Sequence, residues 1–256
     1  MSEEAARAVN EVPGFVFREA LPRRRGVAEA VALRGEEEVL LRVFPLRGPR
    51  FPPQKAAQLR EIQTARLLGE HPFLVQQQEH LYTTHHLLLV YANFAGRALP
   101  AVLPHLDALK TLPLLMKDSL AALLLLREHH LVHCALTPDS LVFAHGHFKL
   151  CALDECVPAG AAALPSSVGP HAAPETLLRG LVTAQSQVFS LGLVWFWAAT
   201  GGSPLGLVHP AHLRQAYTAT KRLPLAFPAG LDPRLCALIA DCLAVEYQQR
   251  AQLGPL

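Results

Sequence analysis

The chain has 256 residues, 51% of them hydrophobic and 17% charged, with a formal net charge of +2. That length suits one large domain or two tightly joined lobes, with ample apolar material for a core. The near-neutral balance gives no reason to expect nucleic acid or an acidic membrane as the main partner. The charged fraction is below the usual quarter or so, which points to a generous core or to a surface apolar enough to meet another protein. Five cysteines, Cys134, Cys151, Cys156, Cys236 and Cys242, are scattered through the chain. An odd number in a chain this long argues for reduced intracellular thiols over a disulfide framework.

The opening Met-Ser-Glu-Glu-Ala-Ala-Arg is acidic and lacks the apolar core of a secretory signal. The most apolar runs, Leu120–Leu126 and Leu191–Ala199, fall far short of the roughly 20 residues needed to cross a bilayer. The expectation is a soluble intracellular protein of the cytoplasm, with no membrane insertion.

Residues 14–44 alternate as strands do, ending in Glu38-Val39-Leu40-Leu41-Arg42-Val43-Phe44. A breaker-rich stretch follows from Pro45 to Pro53. From Gln54 the period becomes helical, with Leu59, Ile62, Ala65 and Leu68 spaced for one apolar face. Gly69 and His71-Pro72 end that helix. Two strand-like runs fill 73–92, the second being Leu87-Leu88-Leu89-Val90-Tyr91. Beyond Gly96 the chain reads as mainly helical: Leu112–His130, then a hairpin-like region over 131–153, a loop over 157–172, and helices over 187–200 and 231–245. The first of these last two is almost entirely apolar, so it is expected at the centre of its unit. Trp195 and Trp197 lie on it and read as core.

Eight landmarks along the chain resemble those of a protein kinase, in the family's order. Val39-Leu40-Leu41-Arg42 resembles the strand that carries the ATP-pairing lysine in Val-Ala-Ile-Lys. Glu61 falls where the family places that lysine's helix glutamate. Glu70-His71-Pro72-Phe73-Leu74-Val75 resembles the His-Pro-Asn-Ile-Val turn. The segment Leu131 to Leu141 resembles the catalytic loop, His-Arg-Asp-Leu-Lys-Pro-Glu-Asn-Leu, and Phe148 to Asp154 the strand into Asp-Phe-Gly. Ala173-Pro174-Glu175 matches Ala-Pro-Glu, Gln187 to Gly192 resembles Asp-Val-Trp-Ser-Leu-Gly, and Cys242-Leu243 through Arg250 matches the closing Cys-Leu…Arg pattern. The resemblance implies an α+β, bilobal kinase-like fold over 1–256. Its N-lobe, an antiparallel sheet with one helix, would cover about 14–95, and its mainly helical C-lobe about 96–256.

Phosphoryl transfer rests on positioning and electrostatics: a carboxylate for the hydroxyl, oxygen ligands for magnesium, a lysine for the phosphates and a glycine-rich cover. Placed on the family's pattern, Ala135 stands at the catalytic aspartate, Thr137 at the loop lysine, Ser140 at the metal-binding asparagine and Ala152 at the metal-binding aspartate. A methyl group neither accepts a proton nor orients a nucleophile, and a lost general base costs about 10²–10⁴ in rate. Asp154 becomes the metal-binding aspartate if the preceding hairpin is longer, but Ala135 stays in either register. The phosphate-covering loop falls at Leu21 to Ala28, with one glycine, Gly26, where three are wanted. Its Arg23-Arg24-Arg25 reads either as a solvated basic turn or as an attraction for phosphate.

Arg42 keeps the positive charge without the compact ammonium of lysine. It either pairs with Glu61 as a structural strut or points to solvent. Degenerate pocket positions are therefore Arg42, Glu61, Tyr91 and Ala92, with hinge backbone near Tyr91-Ala92-Asn93-Phe94. The resemblance also implies a structural set: an ion pair between Glu175 and Arg250, a core histidine at His133, and Gln187 receiving a loop N–H in place of an aspartate. The groups His129, His130, His133, Cys134 and Cys151, Cys156 lack recognised zinc-ligand spacing. The expectation is a pseudokinase that binds other proteins, an active kinase among them, as a scaffold or allosteric regulator. No cofactor and no magnesium are expected. The alternatives are a weak or atypical ATP-dependent kinase, or nucleotide held without turnover.

Overall fold

The computed structural model describes residues 2–24, 27–47, 51–75, 77–92, 97–162, 164, 168–206 and 209–252. Contacts gather the chain into two units, Met1–Gly96 and Arg97–Leu256. In the first, the elements are α1 (Ser2–Asn10), β1 (Phe15–Arg24), β2 (Val27–Arg34), β3 (Glu37–Pro45), α2 (Phe51–Leu68), β4 (Gln77–Tyr82) and β5 (His86–Ala92). The strands form one antiparallel sheet in the order β1-β2-β3-β5-β4.

Successive strand residues point to opposite faces, so each strand serves two layers. One face carries Ala28, Ala30 and Ala32 of β2, Val39, Leu41 and Val43 of β3, and Leu88 and Val90 of β5. Ala5, Ala8 and Val9 of α1 pack onto it. Alanines on both surfaces remove the bulk that would hold the helix away. The unit therefore has a second helix beyond the one expected, and α1 escapes the sequence pattern because its buried stripe is three small side chains. The opposite face presents Glu29, Arg42 and Tyr91, with Glu29 directly across from Arg42 in the β2–β3 register.

α2 starts three residues earlier than its periodicity suggests, with Pro52 and Pro53 in its first turn. Prolines fit there because the first N–H groups of a helix have no internal partner. Ile62 and Leu68 of the expected apolar face are buried, but Leu59 is 45% exposed, and Gln58, Glu61 and Thr64 are buried beside them. The polar pairing of Glu61, not the apolar stripe, sets which side turns inward.

The second unit contains β6 (Arg97–Ala98), α3 (Leu99–Val102), α4 (Ala108–Glu128), β7 (Leu131–His133), β8 (Leu141–Ala144), β9 (His147–Leu150) and β10 (Cys156–Pro158), followed by α5 (Pro174–Arg179), α6 (Ala184–Thr200), α7 (Pro210–Ala219) and α8 (Pro233–Cys242). Helices α5 and α7 were not foreseen in the chain's periodicity. β8 and β9 pair through a two-residue turn, His145-Gly146, both with positive φ. That turn matches the twist of paired strands. α6 is the centre of the unit, packed on α4 and α8. Trp195 is buried and its indole N–H donates to Ser119 Oγ at 3.0 Å, whereas Trp197 is only partly buried. Gly192 is the contact point with α8: a Cβ there would lie 2.8 Å from that of Cys242. Among the described residues, no helix is long and apolar enough to cross a membrane.

Candidate functional site

In the first unit, the sheet register lays Glu29 and Arg42 side by side and α2 brings Glu61 onto them. Arg42 Nη1 donates to Glu61 Oε2 at 3.2 Å, and Arg42 Nε lies 3.5 Å from Glu29 Oε1. The Tyr91 hydroxyl donates to the other oxygen of Glu61 at 2.8 Å. All four residues are buried. Burial first, then the Glu61 charge, pushes the Tyr91 phenol well above its ordinary range, so it stays a neutral donor. The guanidinium also lies 5.4 Å from the centre of the Phe44 ring. One cation thus meets two carboxylates. The arrangement ties α2 to the sheet, and a phosphate arriving at Arg42 would compete with carboxylates already there.

Glu29 is the member that the sequence reading missed, although the signal was available. In a short-turn hairpin pairing Arg34 with Glu37, Glu29 must fall opposite Arg42. Lys55 is exposed on α2. Arg25, Gly26, Asn93 and Phe94 lie outside the described residues, and so do the side chains of Arg23 and Arg24.

In the second unit, the segment from β7 to β10 folds around backbone hydrogen bonds. The His133 N–H donates to Gln187 Oε1 at 2.6 Å, and its Nε2 lies 3.3 Å from the Cys151 carbonyl oxygen. Ala135 is buried, and its carbonyl accepts from Ser140 Oγ at 3.4 Å. That same hydroxyl accepts from the Thr137 N–H at 3.2 Å, closing a one-turn capping box. Ser140 is 1% exposed, so its oxygen works inside the turn. Ala152 follows β9 in the left-handed region, φ 60°, an uncommon place for a residue with a Cβ. Asp154 and Glu155 come next in a buried turn, with Cys134 Sγ donating to the Glu155 carbonyl at 3.1 Å. Asp139 is exposed. Among the described residues, no group of three or more His, Cys, Asp or Glu side chains is placed to hold a metal ion.

Farther along, Arg250 grips Glu175. Nη1 and Nη2 donate to its two carboxylate oxygens at 2.6 and 2.8 Å. The remaining donors go to the carbonyls of Gln185, Ala244 and Val245, and Ser186 Oγ adds a bond to Glu175 at 2.7 Å. Ser186 also caps α6 with Thr183. The guanidinium lies 4.7 Å from the Phe189 ring centre.

The family model described as protein kinase domain matches residues 44–254. The chain belongs to the protein kinase family. Its kinase-domain match covers α2 and every element of the second unit, including Glu61, Ala135, Ala152, Glu175 and Arg250. Glu29 and Arg42 precede it, and they are placed by the sheet register instead. A search of curated proteins found no match.

Proposed function

We propose that this kinase domain is catalytically degenerate and works by binding other proteins, an active kinase among them, as a scaffold or allosteric regulator inside the cell. The observation that carries the reading is Ala135: the family's pattern puts a methyl group where a carboxylate must orient the attacking hydroxyl. Two facts support it. Ser140, at the position of a metal-binding asparagine, spends its buried hydroxyl on the loop's own backbone. Ala152, at the position of a metal-binding aspartate, has no oxygen to offer. Meanwhile the ion pair of Glu175 and Arg250 has a full set of short hydrogen bonds. A domain used for its shape would keep such a pair and dispense with the chemical groups.

The enzymatic alternative draws on Asp154 and Glu155, two carboxylates in the turn after β9. Steady-state assay of the purified chain with ATP, magnesium and a mixed serine, threonine and tyrosine peptide pool separates the two. The non-catalytic reading predicts incorporation at the level of heat-denatured protein. Incorporation that falls in Asp154→Asn would establish the enzymatic one.

A further inference from the structure

We propose that the groove between α5 and α7 docks a peptide segment of another protein, one with a bulky apolar side chain flanked by Asp or Glu. The inference deepens the protein-binding reading and rests on it, naming the surface and the chemistry of the partner.

Leu177 of α5 is buried, but the next residue, Leu178, is 47% exposed. Beside it runs a groove of about 610 Å³, open to solvent and lined by Leu164, Val168, Leu177, Leu178, Gly180 and Arg214. Gly180 closes α5 with φ 67°, and a Cβ there would meet nothing within 4 Å, so space remains at that end. Arg214 of α7 supplies a polar wall. Its Nε donates to the Leu177 carbonyl at 2.9 Å, which fixes the guanidinium at the groove. The charge on this face has one sign. From 176 to 231 the chain has no Asp or Glu, whereas Arg179, Arg214, Lys221 and Arg222 are all exposed. Glu175, just before that stretch, is buried and clamped by Arg250. The whole chain carries only +2, so the cationic face is local. Such a face steers an oppositely charged partner and disfavours others. An apolar anchor with charges around it is the anatomy of a protein interface. A nucleic acid would use the cations but would leave Leu178 and its apolar neighbours facing a phosphate backbone.

Fluorescence anisotropy of the full chain with a labelled peptide, Asp-Glu-Leu-Leu-Asp-Glu between Gly-Ser flanks, tests this. Comparison probes replace its leucines with serine or its acids with Asn and Gln, and a further one is a single-stranded DNA oligonucleotide. The variants are Leu178→Asp, at an exposed position, and Arg214→Glu. Arg179→Glu is a second charge reversal, should loss of the bond to Leu177 disturb folding, and circular dichroism checks each. The parent peptide should bind, and each variant and each altered peptide should weaken binding at least about tenfold. Added salt should weaken it too. No binding at millimolar peptide would overturn the proposal, as would binding that folded variants leave unchanged. Equal binding of the oligonucleotide or of the serine peptide would also overturn it, because charge alone would then explain the affinity. Phosphotransfer by the wild-type chain would end the non-catalytic reading and leave the groove measurements standing.

Discussion

Arg42 in the sheet unit and Arg250 in the helical unit are both buried arginines facing a helix carboxylate, Glu61 or Glu175. The two sites differ in how charge is balanced. Around Arg250, one carboxylate takes both terminal nitrogens at 2.6 and 2.8 Å, and backbone carbonyls take the rest. Around Arg42, two carboxylates stand at 3.2 and 3.5 Å, with a phenol on one of them. The first arrangement is a bidentate clamp whose geometry yields specificity and strength together. The second spreads its guanidinium over carboxylates from two elements, β2 and α2, at longer distances. The comparison separates a two-pronged clamp from a guanidinium spread over two elements.

Breaking the anchor is expected to have the largest effect. Arg250→Ala leaves Glu175 buried without its counter-ion and should cost about 3–5 kcal/mol in denaturant unfolding. An effect under about 1 kcal/mol would remove the distinction between the two sites.

A titration comes next. Burial holds the His171 imidazole down at about 4, against an ordinary 6.5, with the charge of Asp139 opposing only in part. The unfolded chain then takes up the proton first. Stability is complete above about pH 6.5 and falls as pH drops toward 4, by up to roughly 3 kcal/mol. His171→Phe should flatten that part of the pH–stability curve, and Arg42 variants should leave it unchanged.

Tyr91→Phe removes one donor to Glu61 and should cost about 1.5–3 kcal/mol, the range for a hydrogen bond to a charged group. The smallest effect belongs to the loop after β9. Ala152→Gly relieves a left-handed backbone and should stabilise the fold by roughly 0.5–1 kcal/mol.

Legibility in the sequence followed the strength of local patterns. β3 and β5 are nearly continuous apolar runs, and α6 is almost entirely apolar from Leu191 to Ala199, so each could be read directly. α1 could not, because its buried stripe is Ala5, Ala8 and Val9, and a helix of small residues has little contrast. α5 and α7 are short helices opened by Pro174 and Pro210, residues that read as breakers unless their place in the first turn is known. On α2 the apolar stripe pointed to Leu59, but the ion pair of Glu61 with Arg42 turned that side chain outward. The candidate positions themselves came from motif order. What motif order could not supply was cross-strand register, and register is what brings Glu29 to Arg42. Such a partner emerges only when the hairpin register is counted out, Arg34 opposite Glu37 putting Glu29 opposite Arg42.

The most direct test of the central claim is a single-turnover experiment, with the protein in excess over trace radiolabelled ATP, magnesium and acceptor peptide. Under those conditions even one slow transfer per molecule is counted. The label is expected to stay in ATP over hours, to the level of a protein-free blank. Label appearing on peptide or on the protein itself, and disappearing in Asp154→Asn, would contradict it.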